Sequence, residues 1–316
     1  MNLPQNFADI HTAREATQSL YPNAQNITMI EHGYDNIVAL VDASYAVRFP
    51  RNKNAYLRSL YEKRILQRLE TTKTIIIPRI LGGHNDPPYI ITSFVPGHHI
   101  SSASIQTLSK SHQHDFAELV AQFAFAMHKT FVINDELPLR KEFGLDELEE
   151  EEPWPIYYKR VVHDNDFPTV IQDEIAKSCY ADWVKLCDVD PTVVVHDDLH
   201  SQNMMFNDDN HLIGILDFGD TNVGTPEQEL RQLYRINEDV MLAGVEEYQH
   251  LSGQQLNIEA LKAWATMKEL ADYSKALAVK NTSHNSFKRA SHNLNLWFPK
   301  GEWGKGYDLS EIEGYQ

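Results

Sequence analysis

Cysteine is scarce in this sequence: Cys179 and Cys187 are the only two in 316 residues. They do not form a CxxC pair, and a small disulfide scaffold would need more cysteines than these. The 15 histidines show no HExxH motif and no Cys/His spacing typical of zinc sites. These absences argue against a disulfide-stabilised fold and a zinc centre, and they indicate a reducing compartment.

Long apolar runs are also missing. No stretch approaches the roughly 18 apolar residues that a membrane-spanning helix requires. Residues 1–13 lack the charged and then apolar pattern of a secretion signal. We therefore expect a soluble, cytoplasmic protein without a membrane partner.

Basic residues are outnumbered, with 28 Lys and Arg against 45 Asp and Glu, which gives a formal net charge of −17. A surface of this sign repels phosphate backbones, so we expect no nucleic-acid partner. It favours cationic small molecules, although acidity also serves solubility alone. With 42% hydrophobic residues, the chain can bury a sizeable core, and its length predicts more than one lobe.

Strand patterns dominate the first third of the chain. Short apolar or alternating runs predict strands at 27–31, 37–42, 45–49, 75–77 and 89–95. Apolar residues that recur every three to four positions predict one helix at 55–69. The dipeptide Pro96-Gly97 is typical of a turn. We place the lobe boundary there, between an N-lobe of residues 1–95 and a C-lobe of residues 96–316.

Helical patterns dominate the remainder, at 116–128, 227–248 and 258–279, and short apolar strands are predicted at 192–195 and 212–216. The acidic stretch 142–155 is expected to be exposed. A small β-rich lobe followed by a larger helical lobe is an α+β arrangement. The crevice between two such lobes is a natural ligand site.

Both short strands of the C-lobe lead into polar residues. The first enters the loop HDDLHSQN, in which four residues separate Asp198 from Asn203, and the second ends in Asp217-Phe218-Gly219. Phosphoryl transfer to a hydroxyl needs a carboxylate to accept the proton and oxygen ligands to hold magnesium on the β- and γ-phosphates. A histidine-led loop with this Asp and Asn, followed by Asp-Phe-Gly, supplies these groups. The sequence therefore predicts a magnesium-dependent kinase.

The segments HDDLHSQN and ILDFGDTNVGTPEQEL resemble the family of aminoglycoside phosphotransferases and choline kinases. The segment ITMIEHGYDNIVALVDASYAVRFPRN is similar to the opening hairpins of that family, and the likeness covers most of residues 20–235. The pattern is nearest to the aminoglycoside 2″-phosphotransferases. The resemblance implies a bilobal protein-kinase-like fold with ATP or GTP as phosphoryl donor.

The resemblance also implies roles for individual residues. Asp198 would be the catalytic base, and Asn203 and Asp217 would bind Mg²⁺. Arg48 would contact the nucleotide phosphates, with Glu62 as its partner on the following helix.

Two further positions and one departure concern the nucleotide site. Ser93 and Val95 would offer backbone groups to the purine base. Many relatives carry lysine where this chain has Arg48, and arginine is bulkier and binds phosphate as a fork. The opening loop has only one glycine, Gly33, so phosphate cradling and a plain hairpin turn are both open there.

The acceptor is less constrained. The resemblance favours an aminoglycoside-type antibiotic, as for a resistance-type phosphotransferase, with choline, a macrolide or an amino-sugar metabolite as rivals. Glu238 and Asp239 are candidates for pairing with ammonium groups of the substrate, although an exposed helical face explains them equally well.

The acidic run at 147–152 is either a solvated loop or an electrostatic funnel. A non-catalytic nucleotide-binding pseudokinase and an adenylyl-transferring variant are the other classes considered.

Overall fold

The computed structural model describes residues 4, 6–31, 33, 35–69, 75–145, 153–164, 167–187 and 189–307, with 136–139 described by their backbone only. Its N-terminal part is an antiparallel five-stranded sheet in the order β1-β2-β3-β5-β4. The strands are β1 Ile27–Ile30, β2 Asn36–Val41, β3 Tyr45–Pro50, β4 Ile80–Asn85 and β5 Pro88–Ser93, and the helices beside them are α1 Ile10–Leu20 and α2 Lys53–Leu69. The predicted strands at 27–31, 37–42 and 45–49 and the helix at 55–69 are confirmed.

Alternation along β2 and β3 gives the sheet two different faces. Ile37, Val47 and Phe49 belong to a buried cluster that α1 joins through Ala13. Successive side chains of a strand point to opposite faces. Arg48 lies between Val47 and Phe49, so it points the other way, into a cleft below the sheet.

The predicted strand at 75–77 is wrong. Ile76 forms only an isolated bridge to Gly214, far along the chain, with Ile76 N–H donating to the Ile213 carbonyl oxygen at 3.1 Å. The sheet takes β4 instead. Two glycines in β4 weaken the strand pattern that sequence reasoning looks for, whereas the isoleucines at 75–77 satisfy it without joining the sheet.

The C-terminal part is mainly helical. Its helices are α3 Ser102–Thr107, α4 Lys110–Thr130, α5 Ile133–Glu142, α6 Trp154–His163, α7 Val170–Cys187, α8 Pro226–Tyr234, α9 Glu238–Ser252, α10 Ile258–Ala278 and α11 Asn285–Trp297. Two antiparallel strand pairs lie among them: β6 Val193–Val195 with β9 Asn222–Gly224, and β7 Met204–Phe206 with β8 Leu212–Ile215. Together with the N-terminal sheet, this is the α+β, bilobal kinase-like fold that the sequence predicts.

The predicted helical stretch at 227–248 is divided into α8 and α9. The break falls before Asn237, whose side-chain oxygen accepts a hydrogen bond from Val240 N–H at 2.8 Å. Asparagine is a strong helix N-cap, because its side chain satisfies an amide that has no partner inside the helix. The break lets the chain leave α8 at Arg235, which becomes part of a cavity wall described below.

The predicted exposed stretch at 142–155 is only partly described, since residues 146–152 lie outside the described residues. Two of its described members contradict the prediction, because Phe143 and Leu145 are buried. Phe143 packs against Tyr61 of α2, with ring centroids 6.3 Å apart. Apolar side chains in an acidic segment thus join the core while their neighbours carry the charge.

The sequence is rich in aromatic residues near its C-terminus, at Trp297, Phe298, Trp303 and Tyr307, and part of this stretch contributes to the core. Trp303 is fully buried and packs edge-on against Phe167 and Tyr273.

In the described part of the chain no single helix has the length and hydropathy needed to cross a membrane, and α4 and α5 meet that criterion only when joined across a 61° bend. The apolar residues of α4 are largely buried in the central core.

Candidate active site

The predicted catalytic loop and the Asp-Phe-Gly segment are tied together by backbone contacts. β6 leads into His196, whose Nε2 lies 3.0 Å from the Leu216 carbonyl oxygen. The Leu216 N–H donates to the Asn203 carbonyl oxygen at 2.8 Å. His196 is fully buried against Phe218, with ring centroids 4.7 Å apart. His196 therefore supports the loop from inside, and the residue before Asp217 lies directly against Asn203.

Asp198 is held by its neighbours in the same loop. The Asn203 side-chain N–H group donates to Asp198 Oδ2 at 2.9 Å and to the Asp198 carbonyl oxygen at 2.9 Å. His200 Nε2 lies 3.3 Å from Asp198 Oδ2. Burial alone would raise the pKa of Asp198, but His200, Lys268 and His196 lower it well below its usual range. The carboxyl group is therefore ionised at neutral pH, and its oxygens can accept a hydrogen bond from a substrate hydroxyl.

Asn203 and Asp217 have free acceptor oxygens that face one cleft. Both residues line it, and within the described residues neither Asn203 Oδ1 nor the Asp217 carboxylate accepts a hydrogen bond. One carboxylate and one amide oxygen, with nucleotide phosphates and water, fit the oxygen preference of magnesium. In the described part of the chain no group of three or more His, Cys, Asp or Glu forms a metal site, and magnesium held partly by phosphates needs no such group.

Arg48 and Glu62 form the ion pair that the resemblance implies. Arg48 Nη1 donates to Glu62 Oε1 at 2.7 Å, and the same oxygen accepts from Phe218 N–H at 3.2 Å. Burial would lower the pKa of Arg48, but Glu62 and Asp217 raise it above its ordinary value. Glu62 therefore joins the sheet, α2 and the Asp-Phe-Gly segment, and Arg48 keeps its charge in the cleft.

A second ion pair in the cleft escaped sequence reasoning. Arg58 Nη1 donates to Asp35 Oδ1 at 3.1 Å, and both residues line the cleft. Burial raises the pKa of Asp35, while Arg58 opposes that shift. The available signal was that Arg58 lies one helical turn before Glu62 and therefore on the same face of α2.

Ser93 and Val95 lie on the wall of the cleft, at and just after the end of β5. The intervening Phe94 N–H donates to the Ser44 carbonyl oxygen at 2.9 Å. The Val95 N–H has no hydrogen-bond partner in the part of the chain that the structure describes. One backbone N–H without a partner therefore lies on the wall where the sequence predicts contact with a purine, whereas the Ser93 N–H already donates to the Arg79 carbonyl oxygen at 2.9 Å.

Glu238 and Asp239 lie elsewhere. They occupy the first turn of α9 and line neither the cleft nor the adjoining cavity. Glu238 pairs with Lys262 at 2.7 Å, and Asp239 pairs with Lys110. The prediction that they bind substrate ammonium groups therefore has no support from their position. Their ion pairs, and the favourable interaction of acidic side chains with the helix dipole in the first turn, explain them.

A second cavity adjoins the cleft and shares Asp198, His99 and Gln202 with it. The cleft has a volume of about 780 Å³ and the cavity about 150 Å³. Sequence reasoning missed the charged and amide residues on the far side of this cavity, which are Gln232, Arg235, Lys268, Asp272 and Arg289. They come from the ends and faces of α8, α10 and α11, and no local motif marks them.

Asp197 is a structural carboxylate. It lies in the left-handed region with φ 65°, which Asp tolerates better than most residues. Its side chain accepts from Arg231 at 2.8 Å, from Gln228 Nε2 at 2.9 Å and from Trp154 Nε1 at 3.2 Å. These partners turn Asp197 away from the cleft and fix the backbone immediately before Asp198.

Comparison with known proteins agrees with this geometry. Residues 26–270 match the model of the phosphotransferase enzyme family. No curated protein sequence matches the chain.

Several solved structures share the fold. An aminoglycoside 2″-phosphotransferase of type IIIa with GDP and kanamycin superposes with a TM-score of 0.65 at 16% identity, over 92% of this chain and 98% of that one. A type IIa enzyme with gentamicin gives 0.61 at 19% identity, over 95% and 99%. A macrolide 2′-phosphotransferase from Brachybacterium faecium gives 0.59 at 17% identity, over 89% and 97%. The family match covers most of the chain, and on that basis this protein belongs to the phosphotransferase enzyme family.

Proposed function

We propose that this phosphotransferase is a small-molecule kinase that transfers the γ-phosphoryl group of ATP or GTP to a hydroxyl group. The observation that carries the proposal is the position of Asp198 on the wall shared by the cleft and the adjoining cavity. A nucleotide in the cleft and an acceptor in the cavity would meet at this carboxylate.

The proposed roles follow from the contacts around Asp198. Its ionised carboxylate accepts the proton of the attacking hydroxyl. General-base catalysis of this kind raises the rate by about 10²–10⁴-fold. Asn203 holds the carboxylate in place through its side-chain N–H group at 2.9 Å. Asn203 Oδ1 and Asp217 would hold Mg²⁺, which when bound supplies neutralisation of the phosphate charge.

The donor side is supported by groups at both ends of the cleft. Arg48 supplies a fixed positive charge for the phosphates, because Glu62 anchors it at 2.7 Å. The Val95 N–H, together with the carbonyl oxygen of Ser93, would meet the purine base. Related structures were solved with GDP and with ATP, so both donors are retained in the proposal.

An aminoglycoside acceptor stays the first prediction from sequence resemblance, and structural relatives bound to kanamycin and gentamicin support it. The charges on the cavity wall favour a different class, an anionic acceptor. The proposed function itself requires only a hydroxyl at Asp198.

The test separates nucleotide binding from transfer. Asp198→Asn should lower the rate of phosphoryl transfer by about 10²–10⁴-fold or more, while the thermal shift caused by magnesium and nucleotide is kept. Asp217→Asn should lose both the transfer and the thermal shift. Asp208→Asn, an exposed position in the β7–β8 turn, is the matched control and should change neither readout.

The acceptor screen that accompanies these variants measures product mass for hydroxylated acids, sugars, amines, aminoglycosides and macrolides. A mass gain of one phosphoryl group supports a kinase, and a gain of a nucleoside monophosphate would show an adenylyl-transferring enzyme. Near-wild-type transfer by Asp198→Asn would refute the proposed role of this residue. A nucleotide-dependent shift without transfer to any acceptor would favour the pseudokinase.

A further inference from the structure

The far wall of the cavity beside Asp198 is a cluster of charges contributed by α10, α11 and the end of α8. Asp272 Oδ2 accepts from Arg235 Nη2 at 2.8 Å and from Arg289 Nη2 at 2.5 Å, and Asp272 Oδ1 accepts from Lys268 Nζ at 2.7 Å. Behind them, Glu269 Oε1 accepts from Arg235 Nε at 3.0 Å and from Arg289 Nε at 3.2 Å. The cluster therefore has three cations and two carboxylates, a surplus of one positive charge.

All three cations of the cluster line the cavity, but only one of its two carboxylates does. Glu269 has no exposed side-chain surface and does not line the cavity, whereas the side chains of Lys268 and Arg289 are 24% and 18% exposed. The wall is thus positive on its accessible side although the whole chain carries a net charge of −17. Asp272 and Asp198 are the carboxylates on the lining, and Asp272 is already shared among three cations.

Hydrogen-bond donors on this wall outnumber their protein acceptors. Lys268 Nζ has three donor hydrogens and a single hydrogen bond, to Asp272, within the described residues. Arg289 uses Nε and Nη2, and no bond from Nη1 is present in that part of the chain. The wall therefore has N–H groups of two cations left to offer to a ligand.

Gln232 gives independent support. It lines the cavity and is only 5% exposed. Its side-chain oxygen accepts a hydrogen bond from Arg235 Nη1. Its side-chain nitrogen is buried and has no hydrogen-bond partner among the described residues. A buried donor without a partner is costly, and an acceptor oxygen on a ligand would satisfy it.

We propose that the acceptor substrate carries an anionic group, a carboxylate or a phosphate, in addition to its reactive hydroxyl. Lys268, Arg289 and Gln232 bind the anionic group, while the hydroxyl lies at Asp198. This inference rests on the proposed function, because it treats the cavity as the acceptor site. A polycationic acceptor would place its ammonium groups against Lys268 and Arg289, where like charges repel.

The first experiment compares matched probes that differ in charge. Glucose is the neutral parent, glucuronate and glucose 6-phosphate are the anionic arms, and glucosamine and kanamycin are the cationic arms. The purified 316-residue protein with Mg²⁺ and ATP or GTP is assayed for product mass and kcat/KM. Each probe is also tested as an inhibitor of nucleotide consumption. We expect an anionic arm to exceed the neutral parent at least about tenfold, as transfer substrate or as inhibitor.

The second experiment alters the wall. Lys268→Met should lower the ratio of anionic to neutral probe in kcat/KM or inhibition constant by about 10- to 100-fold, and Lys268→Arg should restore part of the loss; an effect through Asp198 would act on both probes alike and leave this ratio unchanged. Lys262→Met is the matched control on the same helix, because Lys262 pairs with Glu238 outside the cavity. Circular dichroism and melting temperature verify that each variant is folded.

Three outcomes would overturn the inference: preference for a cationic probe, equal treatment of all charges, or no effect of any anionic probe at 10 mM, a concentration of about ten times a typical upper KM. The proposed function fails separately. It fails if no probe or screened compound is phosphorylated, whereas transfer to kanamycin in preference to the acids would keep the kinase and remove only the anionic acceptor. Differences between the glucuronate and glucose 6-phosphate arms identify which anion the wall binds.

Discussion

Single side chains in this protein connect parts of the chain that lie far apart in sequence. Glu62 is the clearest case, because one of its oxygens accepts both from Arg48 of β3 and from Phe218 N–H beside Asp217. The side chain is almost fully buried, so its charge is compensated by these two donors rather than by water. Any change at Glu62 should therefore affect the nucleotide phosphates and Asp217 together.

We predict that Glu62→Gln lowers kcat/KM for the nucleotide by about 10- to 100-fold, because a charge-assisted hydrogen bond contributes about 1.5–3 kcal/mol. The amide retains the shape of the carboxylate but cannot neutralise Arg48. Steady-state kinetics with varied nucleotide measure the effect. Arg64→Gln, an exposed change on the same helix, should leave the kinetics unaltered, and equal effects of the two variants would contradict the assigned role.

Asp198 shows why residue identity alone does not fix chemistry. The sequence supplies the aspartate, but the low pKa comes from His200, Lys268 and His196, of which Lys268 lies on α10. Spacing identified Asp198, Asn203 and Asp217 because these residues lie in two short strand-to-loop segments. It could not identify Lys268, since only tertiary packing brings α10 to the loop.

At the scale of elements, the connection between the N-terminal sheet and the helical part depends on a close backbone approach. His98 N–H donates to the Phe206 carbonyl oxygen at 2.9 Å, and Phe206 N–H donates to the His98 carbonyl oxygen at 2.8 Å. Gly97 precedes this pair with φ +111°, and an added Cβ would overlap the Phe206 carbonyl oxygen. A side chain at position 97 would push the connection away from β7.

We predict that Gly97→Ala lowers the free energy of unfolding by at least about 2 kcal/mol, from backbone strain and from the overlap. Gly253→Ala is the matched control, because Gly253 also has a positive φ of 70° but nothing lies within 4 Å of an added Cβ. It should cost only about 1–2 kcal/mol of strain. Urea denaturation at constant m-value compares the two, and a loss at Gly97 no larger than that at Gly253 would rule out the steric argument.

Helices and strands were predicted correctly where the spacing of apolar residues fitted only one kind of element. The amphipathic patterns of α2, α4 and α10 and the alternation in β2 and β3 are visible locally because each element buries one face. Prediction failed at Ile75–Ile77 because three apolar residues indicate burial without showing which partner buries them. It missed β4, whose Gly82 and Gly83 conceal a strand that pairing with β5 stabilises.

At the scale of the whole molecule, a buried ion cluster joins three segments of the helical part. Glu269 of α10 is fully buried between Arg235, which follows α8, and Arg289 of α11. Burial would raise the pKa of Glu269, but Arg235 and Arg289 lower it below its ordinary value. Asp272 behaves in the same way, with Lys268, Arg289 and Arg235 outweighing burial.

We predict that Glu269→Gln lowers the free energy of unfolding at pH 7 by about 3–5 kcal/mol, because it leaves the buried Arg235 and the half-buried Arg289 short of one counter-charge. Because the folded pKa values of Glu269 and Asp272 are depressed, their contribution is present above the unfolded values near 4 and is lost as the pH falls towards the folded values. The wild type should therefore lose stability as the pH falls below about 4, more steeply than Glu269→Gln.

Urea denaturation at pH 7, 5, 4 and 3.5 measures both effects. Glu259→Gln, an exposed change on the same helix, is the control and should follow the wild type. If Glu269→Gln and Glu259→Gln behave alike at pH 7, the cluster does not stabilise the helical part.

The boundary proposed between residues 95 and 96 can be tested on the same samples, by limited proteolysis at that connection with and without nucleotide.

The sequence by itself determined the α+β class and most of the elements, and it predicted the three oxygen-bearing residues 198, 203 and 217 that line the cleft. Each of these depends on local periodicity or on spacing within a short loop. The sequence also determined the ion pair of Arg48 with Glu62, through resemblance. Only the tertiary structure decided the charge of the cavity beside Asp198, because Arg235, Lys268, Asp272 and Arg289 meet through the packing of α8, α10 and α11. Net charge describes the average surface, whereas a cavity is defined by the few side chains that packing directs into it.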